Sequence, residues 1–459
     1  MALRAQKHVH LNREIPIEAI VSGMRACSGI LYGLKENFNV DEVGHLAASL
    51  KRIRTHGKSI ILRCRDTFPY MIPVLSEVDG IVSPNTTVTT KGHSAEFCRE
   101  EGKTLVVADE RTWRELENCE GETILVDPKG RKIILDPDRQ TAQMTNTGYD
   151  QPESEIKVIG ELIKEGRHIS LLSTVPEPIK LSGNFSFFCR QEQLMMSKGK
   201  SPWDLLRSNK PQCERILHAV WGAYVRNVQP GILIVCRSHD ARSDEYPGSP
   251  ILHEPNPQLG NHGPSLFETF PHLLEAEVAA IAKLKAENPN KKIAYLLPFV
   301  RSKNEIIAAR EALSGALAKL SLSETAVEFT VMYETPLCPY LIGELKAAKV
   351  KTIWIGTKDL FMSFLMVDRD NVNLSQDYLK LLDNSGEPNL AFLEYLNENI
   401  VKFINNGLDV IMYSLASEVP IFVKYLPKQV GFLLSKGSVK EALKQAENQE
   451  ILSASDFFK

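Results

Sequence analysis

The chain has 459 residues, of which 43% are hydrophobic and 24% charged, and its formal net charge is -3. At roughly 150 residues per domain this length gives two or three domains of an ordinary globular protein. No basic run interleaved with aromatics marks a nucleic-acid surface, and no apolar run approaches the ~18 residues that span a bilayer, so nucleic acid and membrane are set aside as partners.

In chain order, MALRAQKHVHLNREIPIEAI lacks an apolar core followed by a small-residue cleavage site and does not read as a secretory signal. Up to about residue 138, short apolar runs (SIILRC, DGIVS, TLVVA, TILVD, KIILD) alternate with helical stretches such as VDEVGHLAASLKRIRTHG. TILVDPKGRKIILD reads as a hairpin around Pro128, Lys129 and Gly130. This is a compact α/β domain over residues 1–138. Within it, TTKGHSAEFCREEGK places His93 at the seam between a loop and a short amphipathic helix. Such a histidine serves as a cap, as a surface residue or as a group held at a helix N-terminus for its chemistry, and the stretch alone leaves these open. Residues 139–154 are polar and turn-rich and read as a linker.

From residue 155 to 459 the rhythm changes. Eight apolar runs, HISLLS, NFSFFC, ILIVCR, IAYLLP, FTVMYE, TIWIGT, DVIMYS and VGFLLS, are separated mostly by long helical segments. Eight parallel strands with helical crossovers predict a (β/α)8 TIM barrel, and uninterrupted apolar strands suit a sheet buried on both faces. The alternative is a doubly wound open sheet. No GxGxxG follows the first strand and no GxxxxGK[ST] occurs, so neither a dinucleotide fold nor a P-loop is supported. The eight cysteines form no CxxC pair and there is no histidine cluster at metal spacing, which points to buried reduced thiols in a cytoplasmic protein.

A barrel carries its chemistry at the carboxyl ends of its strands. Those ends here hold Arg190, Arg237, Arg242 and Arg301, then Glu334, then Lys358 and Asp359, then Met412, Tyr413 and Ser414, and finally Ser435 and Lys436. Arginine forks suit phosphate and carboxylate groups. One or two carboxylates with substrate oxygens make the usual magnesium site. The plain alternative is a set of salt bridges around the rim.

These segments resemble one family. IWIGTKDLFMSFLMVDRDN is similar to the S-I-G-[TS]-N-D-[LM]-T-Q segment and following D-R-[DG] element of the phosphoenolpyruvate-utilising enzymes. VMYETP resembles their M-x-E-[TI]-P, FCRQEQLMM their L-x-R-x-E-F-[LI], and EPNPQLGNHGPS their E-x-N-P-x-L-G-x-R-G. IVCRSHDARSDEY and LPFVRS look most like the phosphoenolpyruvate synthase branch, and RACSGILYG and DGIVSPNTTVTTKGHSAEFCREEGK resemble the family's phosphohistidine domain. The resemblance covers nearly the whole chain in the family's order. It implies a swivelling phosphohistidine domain over residues 1–138 and a substrate barrel over 155–459. His93 matches the phosphoryl-carrying histidine and Arg99 the arginine after it. Glu334 and Asp359 match the ligands of Mg2+, and Arg190, Arg237 and Arg369 match phosphate- and substrate-binding arginines. Neutral imidazole is nucleophilic near neutral pH, and a helix beginning at Ser94 would set N–H groups beside the phosphoryl oxygens.

The chain also departs from the pattern. Met412 stands where the family has the cysteine that protonates the enolate carbon, and a thioether has no proton to give. Lys358 replaces the asparagine of the N-D pair, Arg242 a lysine, and His262 and Ser265 the arginines of R-G-x-R. The glycine pair before His93 is lost. The expectation is therefore a phosphotransferase that passes a phosphoryl group through His93 to or from a small-molecule acceptor bound with Mg2+ and other than pyruvate. An ATP-grasp domain has no place in this chain, so the donor is a separate ATP-grasp kinase subunit or phosphoenolpyruvate itself. Two alternatives stay open. One is ordinary interconversion of phosphoenolpyruvate and pyruvate with Tyr413 or Ser414 as the acid; the other is a non-catalytic regulatory homologue. The resemblance leaves a homodimer through the barrel open.

Overall fold

The computed structural model describes residues 13–22, 26–34, 42–65, 69–84, 97–98, 101, 103–128, 130–138, 141, 153–173, 184–246, 248–252, 254–368, 381 and 387–448. The chain divides into two compact units, Met1–Glu153 and Ser154–Lys459.

The first unit holds one mixed sheet. Its described strands are β1 (Arg13–Pro16), β2 (Ala19–Ser22), β3 (Cys27–Gly33), β4 (Ile60–Arg63), β5 (Gly80–Pro84), β6 (Thr104–Ala108), β7 (Thr123–Asp127) and β8 (Lys132–Leu135), in the order β1-β8-β7-β3-β4-β5-β6-β2. Strands β3 to β6 run parallel, while β7, β8 and β1 at one edge and β2 at the other run antiparallel. The sequences IILR, GIVSP and TLVVA of β4, β5 and β6 are buried at every position, as parallel strands covered on both faces must be. The hairpin read from TILVDPKGRKIILD is present, and Asp127 Oδ1 accepts the Gly130 N–H at 3.0 Å in its turn.

The second unit is the closed barrel. The eight apolar runs form β9 (Ile169–Leu172), β10 (Phe185–Arg190), β11 (Leu233–Arg237), β12 (Lys292–Leu297), β13 (Glu328–Tyr333), β14 (Thr352–Ile355), β15 (Asp409–Tyr413) and β16 (Gly431–Ser435). Each pairs in parallel with the next, and β16 closes on β9, which rules out the open sheet. Every strand sends residues inward: Leu172, Phe188, Val235, Ala294, Leu296, Met332, Trp354, Ile411 and Leu433 form one core cluster. Burying each of the Leu, Ile, Val, Phe and Met side chains contributes about 1.5–3 kcal/mol, so the barrel is a packed core and not a pore. Side chains alternate along a strand. The inward positions that follow Phe188, Val235, Met332, Trp354 and Ile411 are therefore Arg190, Arg237, Glu334, Gly356 and Tyr413, and these make the carboxyl-end mouth.

Local signals fix the outer helices. Asn209 caps helix Lys210–Asn227 and Asn389 caps helix Leu390–Asn405 through side-chain acceptors. Ser302 and Glu305 form a capping box at the start of helix Lys303–Lys319, directly after Arg301. All eight cysteines are buried and none is in a disulfide. Among the described residues no helix is long and apolar enough to cross a membrane.

Candidate functional site

Arg190 and Arg237 stand opposite each other in register at the ends of β10 and β11. The Arg237 guanidinium is held between two acids. Its Nη2 donates to Glu192 Oε2 at 3.0 Å, and its Nη1 lies 3.1 Å from Asp240 Oδ2. Glu192 Oε1 also accepts the Asp240 N–H at 2.5 Å, so the two acids and the arginine close on one another. Burial alone would loosen the proton on Arg237, but Glu192 and Asp240 outweigh it and raise its pKa above the ordinary value. Burial likewise pushes the Asp240 carboxyl up, and Arg237 with a hydrogen bond from His262 brings it below the usual range. Buried charges are costly unless fully paired, and this pairing sets Arg237 in one place.

The segment EPNPQLGNHGPS folds over the same mouth. Glu254 turns back on its own loop to accept the Asn261 N–H at 2.7 Å and the Ser243 hydroxyl at 2.9 Å. Gly260 permits this, because a Cβ there would lie 2.4 Å from Glu254 Oε1. The turn carries His262 into a buried position with three partners. Nδ1 is 2.9 Å from Asp240 Oδ1, and Nε2 is 2.9 Å from both Arg301 Nη2 and the Gln258 carbonyl oxygen. Arg301 Nη1 donates to Ser265 Oγ at 3.1 Å, and the guanidinium packs 4.7 Å from the Phe299 ring centroid. The backbone N–H of Arg301 donates to Glu305 Oε2 at 2.6 Å, so the helix cap pins its main chain. Partial burial lowers the Arg301 pKa from its usual value.

The acid side lies at the ends of β13 and β14. Glu334 is 2% exposed, and its Oε2 accepts the Phe299 N–H at 2.9 Å. Its Oε1 rests in the space above Gly356, where a Cβ would be 2.2 Å away. Burial, then the nearby Asp359 and Asp240, push the Glu334 carboxyl up to about 8, against the pull of Arg237 and the Phe299 N–H. Gln258 Nε2 reaches Asp359 Oδ1 at 3.5 Å. Among the described residues no group of three or more His, Cys, Asp or Glu side chains is arranged to hold a metal. The chain itself therefore offers a pair of acids, and burial with their mutual repulsion raises the Glu334 carboxyl, a penalty that a bound cation would relieve. That donor set fits a hard cation such as Mg2+, which takes one or two carboxylates and completes its shell with water and substrate oxygens.

Of the residues singled out in the sequence, Arg190, Arg237, Arg301, Glu334, Lys358 and Asp359 lie at the carboxyl ends of their strands or just after them. The Lys358 ammonium is 5.5 Å from the Tyr413 ring centroid. Arg242 is turned into its own loop: its Nε is 3.1 Å from Glu245 Oε1 and 3.6 Å from Asp244 Oδ1. Met412 is a correction. Ile411 belongs to the barrel core, so Met412, fully buried, faces the opposite side of β15, while Tyr413 packs against the inward cluster. The residue at the mouth is a phenol and not a thioether. His93, Arg99 and Arg369 lie outside the described residues, as does Ser94, where the helix after His93 was expected to begin. Glu192, Asp240 and Phe299 were missed as site residues. The acids stood in view beside the arginines in FCRQEQ and CRSHDAR, but nothing in one sequence says which acid an arginine will face.

The family described as PEP-utilising enzyme, PEP-binding domain, matches residues 187–423, just over half of the chain. A probable phosphoenolpyruvate synthase of Archaeoglobus fulgidus is 24% identical over 431 residues, covering 91% of this chain and 52% of that protein. Phosphoenolpyruvate synthase of Pyrococcus furiosus is 25% identical over 326 residues, 68% of this chain and 38% of that one. A phosphoenolpyruvate-protein phosphotransferase of Haloferax volcanii is 24% identical over 295 residues, 62% of this chain and 49% of that one. The chain spans about half the length of these curated relatives, or less.

Proposed function

This chain belongs to the phosphoenolpyruvate-utilising enzymes, and we propose that it is a phosphotransferase that moves a phosphoryl group between His93 and a small molecule held with Mg2+ in the barrel, the acceptor being other than pyruvate. The observation that carries this reading is the mouth itself. The buried Glu334 is held up to about 8 beside Asp359, and Arg190, Arg237 and Arg301 stand at neighbouring strand ends. Phosphoryl transfer needs charge neutralisation and placement more than covalent help. Bound at Glu334 and Asp359, Mg2+ would supply neutralisation of the phosphoryl oxygens. Arg237, fixed by Glu192 and Asp240, orients an oxygen-bearing group by a rigid fork.

With phosphoenolpyruvate as donor, the His93 imidazole attacks phosphorus, a P–N bond forms and the P–O bond to the enol oxygen breaks. The released enolate takes a proton at carbon to give pyruvate. The phosphoryl group then passes from His93 to the acceptor oxygen, which gives up its proton. A separate ATP-grasp kinase is the alternative donor to His93. The setting in this reading is the cytoplasm, and a homodimer through the barrel is its assembly.

Tyr413 supports a second reading, the interconversion of phosphoenolpyruvate and pyruvate. Its phenol stands at the mouth and has a proton to give. Pyruvate offered as the only acceptor separates the two when ATP and an ATP-grasp partner load His93: phosphoenolpyruvate that forms, and is lost in Tyr413→Phe, supports the second reading, and none forming supports the first. Calorimetric titration with Mg2+ and phosphoenolpyruvate tests both against a non-catalytic protein. Binding that disappears in Glu334→Gln and Asp359→Asn is the expected result. No binding by the unsubstituted protein would overturn the proposal.

A further inference from the structure

Arg301 differs from Arg237 and Arg242 on the same rim. Arg237 is held by Glu192 and Asp240, and Arg242 by Glu245 and Asp244. Arg301 is held by neutral groups: His262 Nε2 at 2.9 Å, Ser265 Oγ at 3.1 Å and the face of Phe299. Among the described residues no carboxylate pairs with its guanidinium. A half-buried cation whose terminal nitrogens rest on neutral groups, with acids near but none in contact, has charge left for a ligand.

What makes that arrangement possible is the state of one proton. An arginine only donates. For Nε2 of His262 to face it at 2.9 Å, Nε2 must carry a lone pair, so the ring proton sits on Nδ1. There it is taken by Asp240 Oδ1 at 2.9 Å. This tautomer satisfies Asp240 and Arg301 and leaves the Gln258 carbonyl, also 2.9 Å from Nε2, in contact without a hydrogen bond. The opposite tautomer would satisfy only Gln258 and turn an N–H against the guanidinium. The doubly protonated ring would set two cations against each other. Asp240, itself fixed by Arg237 and by the 2.5 Å bond from its N–H to Glu192, thus chooses the tautomer.

We infer that His262, locked by Asp240 as the Nδ1–H tautomer, is a positioning residue that orients Arg301, a guanidinium with no carboxylate in contact, for an anionic group of the barrel's ligand. The part of this inference that concerns the ligand rests on the proposed function; the tautomer does not.

Two measurements on the full-length protein test it. Histidine 15N spectra of the unliganded protein, with the His262 signal assigned by its loss in His262→Gln, should show a protonated Nδ1 and a bare Nε2. A protonated Nε2 overturns the inference whether or not any ligand binds. Calorimetry with phosphoenolpyruvate and Mg2+ then compares variants. His262→Leu fills the space without an acceptor and should weaken binding about tenfold, the effect of one hydrogen bond to a charged group. His262→Gln offers Oε1 to Arg301 and should recover most of that loss, and His262→Leu should add little in an Arg301→Lys background. Equal losses in the Leu and Gln variants, or full additivity with Arg301→Lys, would refute the orienting role. If the unsubstituted protein binds no phosphoenolpyruvate while the Nδ1–H signal is present, the proposed function and the orienting role fail and the tautomer assignment stands.

Discussion

Phe299 gives its backbone N–H to Glu334 Oε2 at 2.9 Å from a left-handed backbone with φ of +43°. Its ring meanwhile lies 4.4 Å from the His262 ring and 4.7 Å from the Arg301 guanidinium. One residue thus touches the acid side and the cation side of the mouth. A bulky residue at positive φ carries about 1–3 kcal/mol of strain, which the neighbouring contacts must offset. Two substitutions separate strain from packing. Phe299→Ala loses the ring and keeps the strain; Phe299→Gly loses both. The glycine variant should therefore be the more stable of the two by about 1 kcal/mol in urea unfolding, the reverse of the usual order. Alanine proving the more stable would show that the backbone there is not strained.

Gly356 bears on metal binding. A Cβ at this position would lie 2.2 Å from Glu334 Oε1 and 2.5 Å from its Cγ. Gly356→Ala should push the carboxylate aside and weaken Mg2+ binding at least about tenfold in calorimetry, the loss of one well-placed charged ligand. Unaltered affinity would mean that Glu334 does not hold the ion.

Arg237 is a test of the buried charges. Removing it leaves Glu192 and Asp240 facing each other without a cation. Arg237→Met should cost about 3–5 kcal/mol in urea unfolding, the usual penalty for breaking a buried pair from one side. A loss near zero would mean that water enters and screens the two acids.

Glu277 gives a pH signature away from the mouth. It is fully buried and accepts from Ser238 Oγ at 2.6 Å, Tyr295 Oη at 2.7 Å and the His239 N–H at 3.0 Å. Burial pushes its carboxyl up to about 7 in spite of those three donors. An unfolded glutamate titrates near about 4.3. Between these values the folded chain keeps a proton that the unfolded chain has released, so Glu277 makes stability fall as pH rises through that window and then level off. Glu277→Gln keeps an acceptor for the His239 N–H and an amide that the two hydroxyls can accept. Urea midpoints measured from pH 4.5 to 8 should show a flatter profile in the variant. An identical slope would mean that the group does not titrate there.

The barrel was legible because a strand buried on both faces must be apolar throughout: ILIVCR, IAYLLP and TIWIGT leave little else to read. That same uniformity hid the orientation of β15. In DVIMYS every candidate is apolar or aromatic, so no alternation says whether Met412 or Tyr413 faces the axis. Only the parity set by Ile411 in the core decides it. The Asp240–His262–Arg301 chain was hidden for another reason. Its members are 22 and 39 residues apart, on the end of β11, on a loop and after β12, and closure of the barrel is what brings them together. The glycines of the EPNPQLGNHGPS loop were visible as a motif, while their reason, room for the Glu254 carboxylate above Gly260, is a property of the folded loop.

The proposed function turns on a phosphoryl group passing through His93. Intact mass spectrometry after incubation with phosphoenolpyruvate and Mg2+, or with ATP and an ATP-grasp partner, measures it directly. An acid-labile adduct of ~80 Da, the mass of one phosphoryl group, is expected, and it should be absent in His93→Ala. No adduct with either donor, or an adduct that survives His93→Ala, would contradict it.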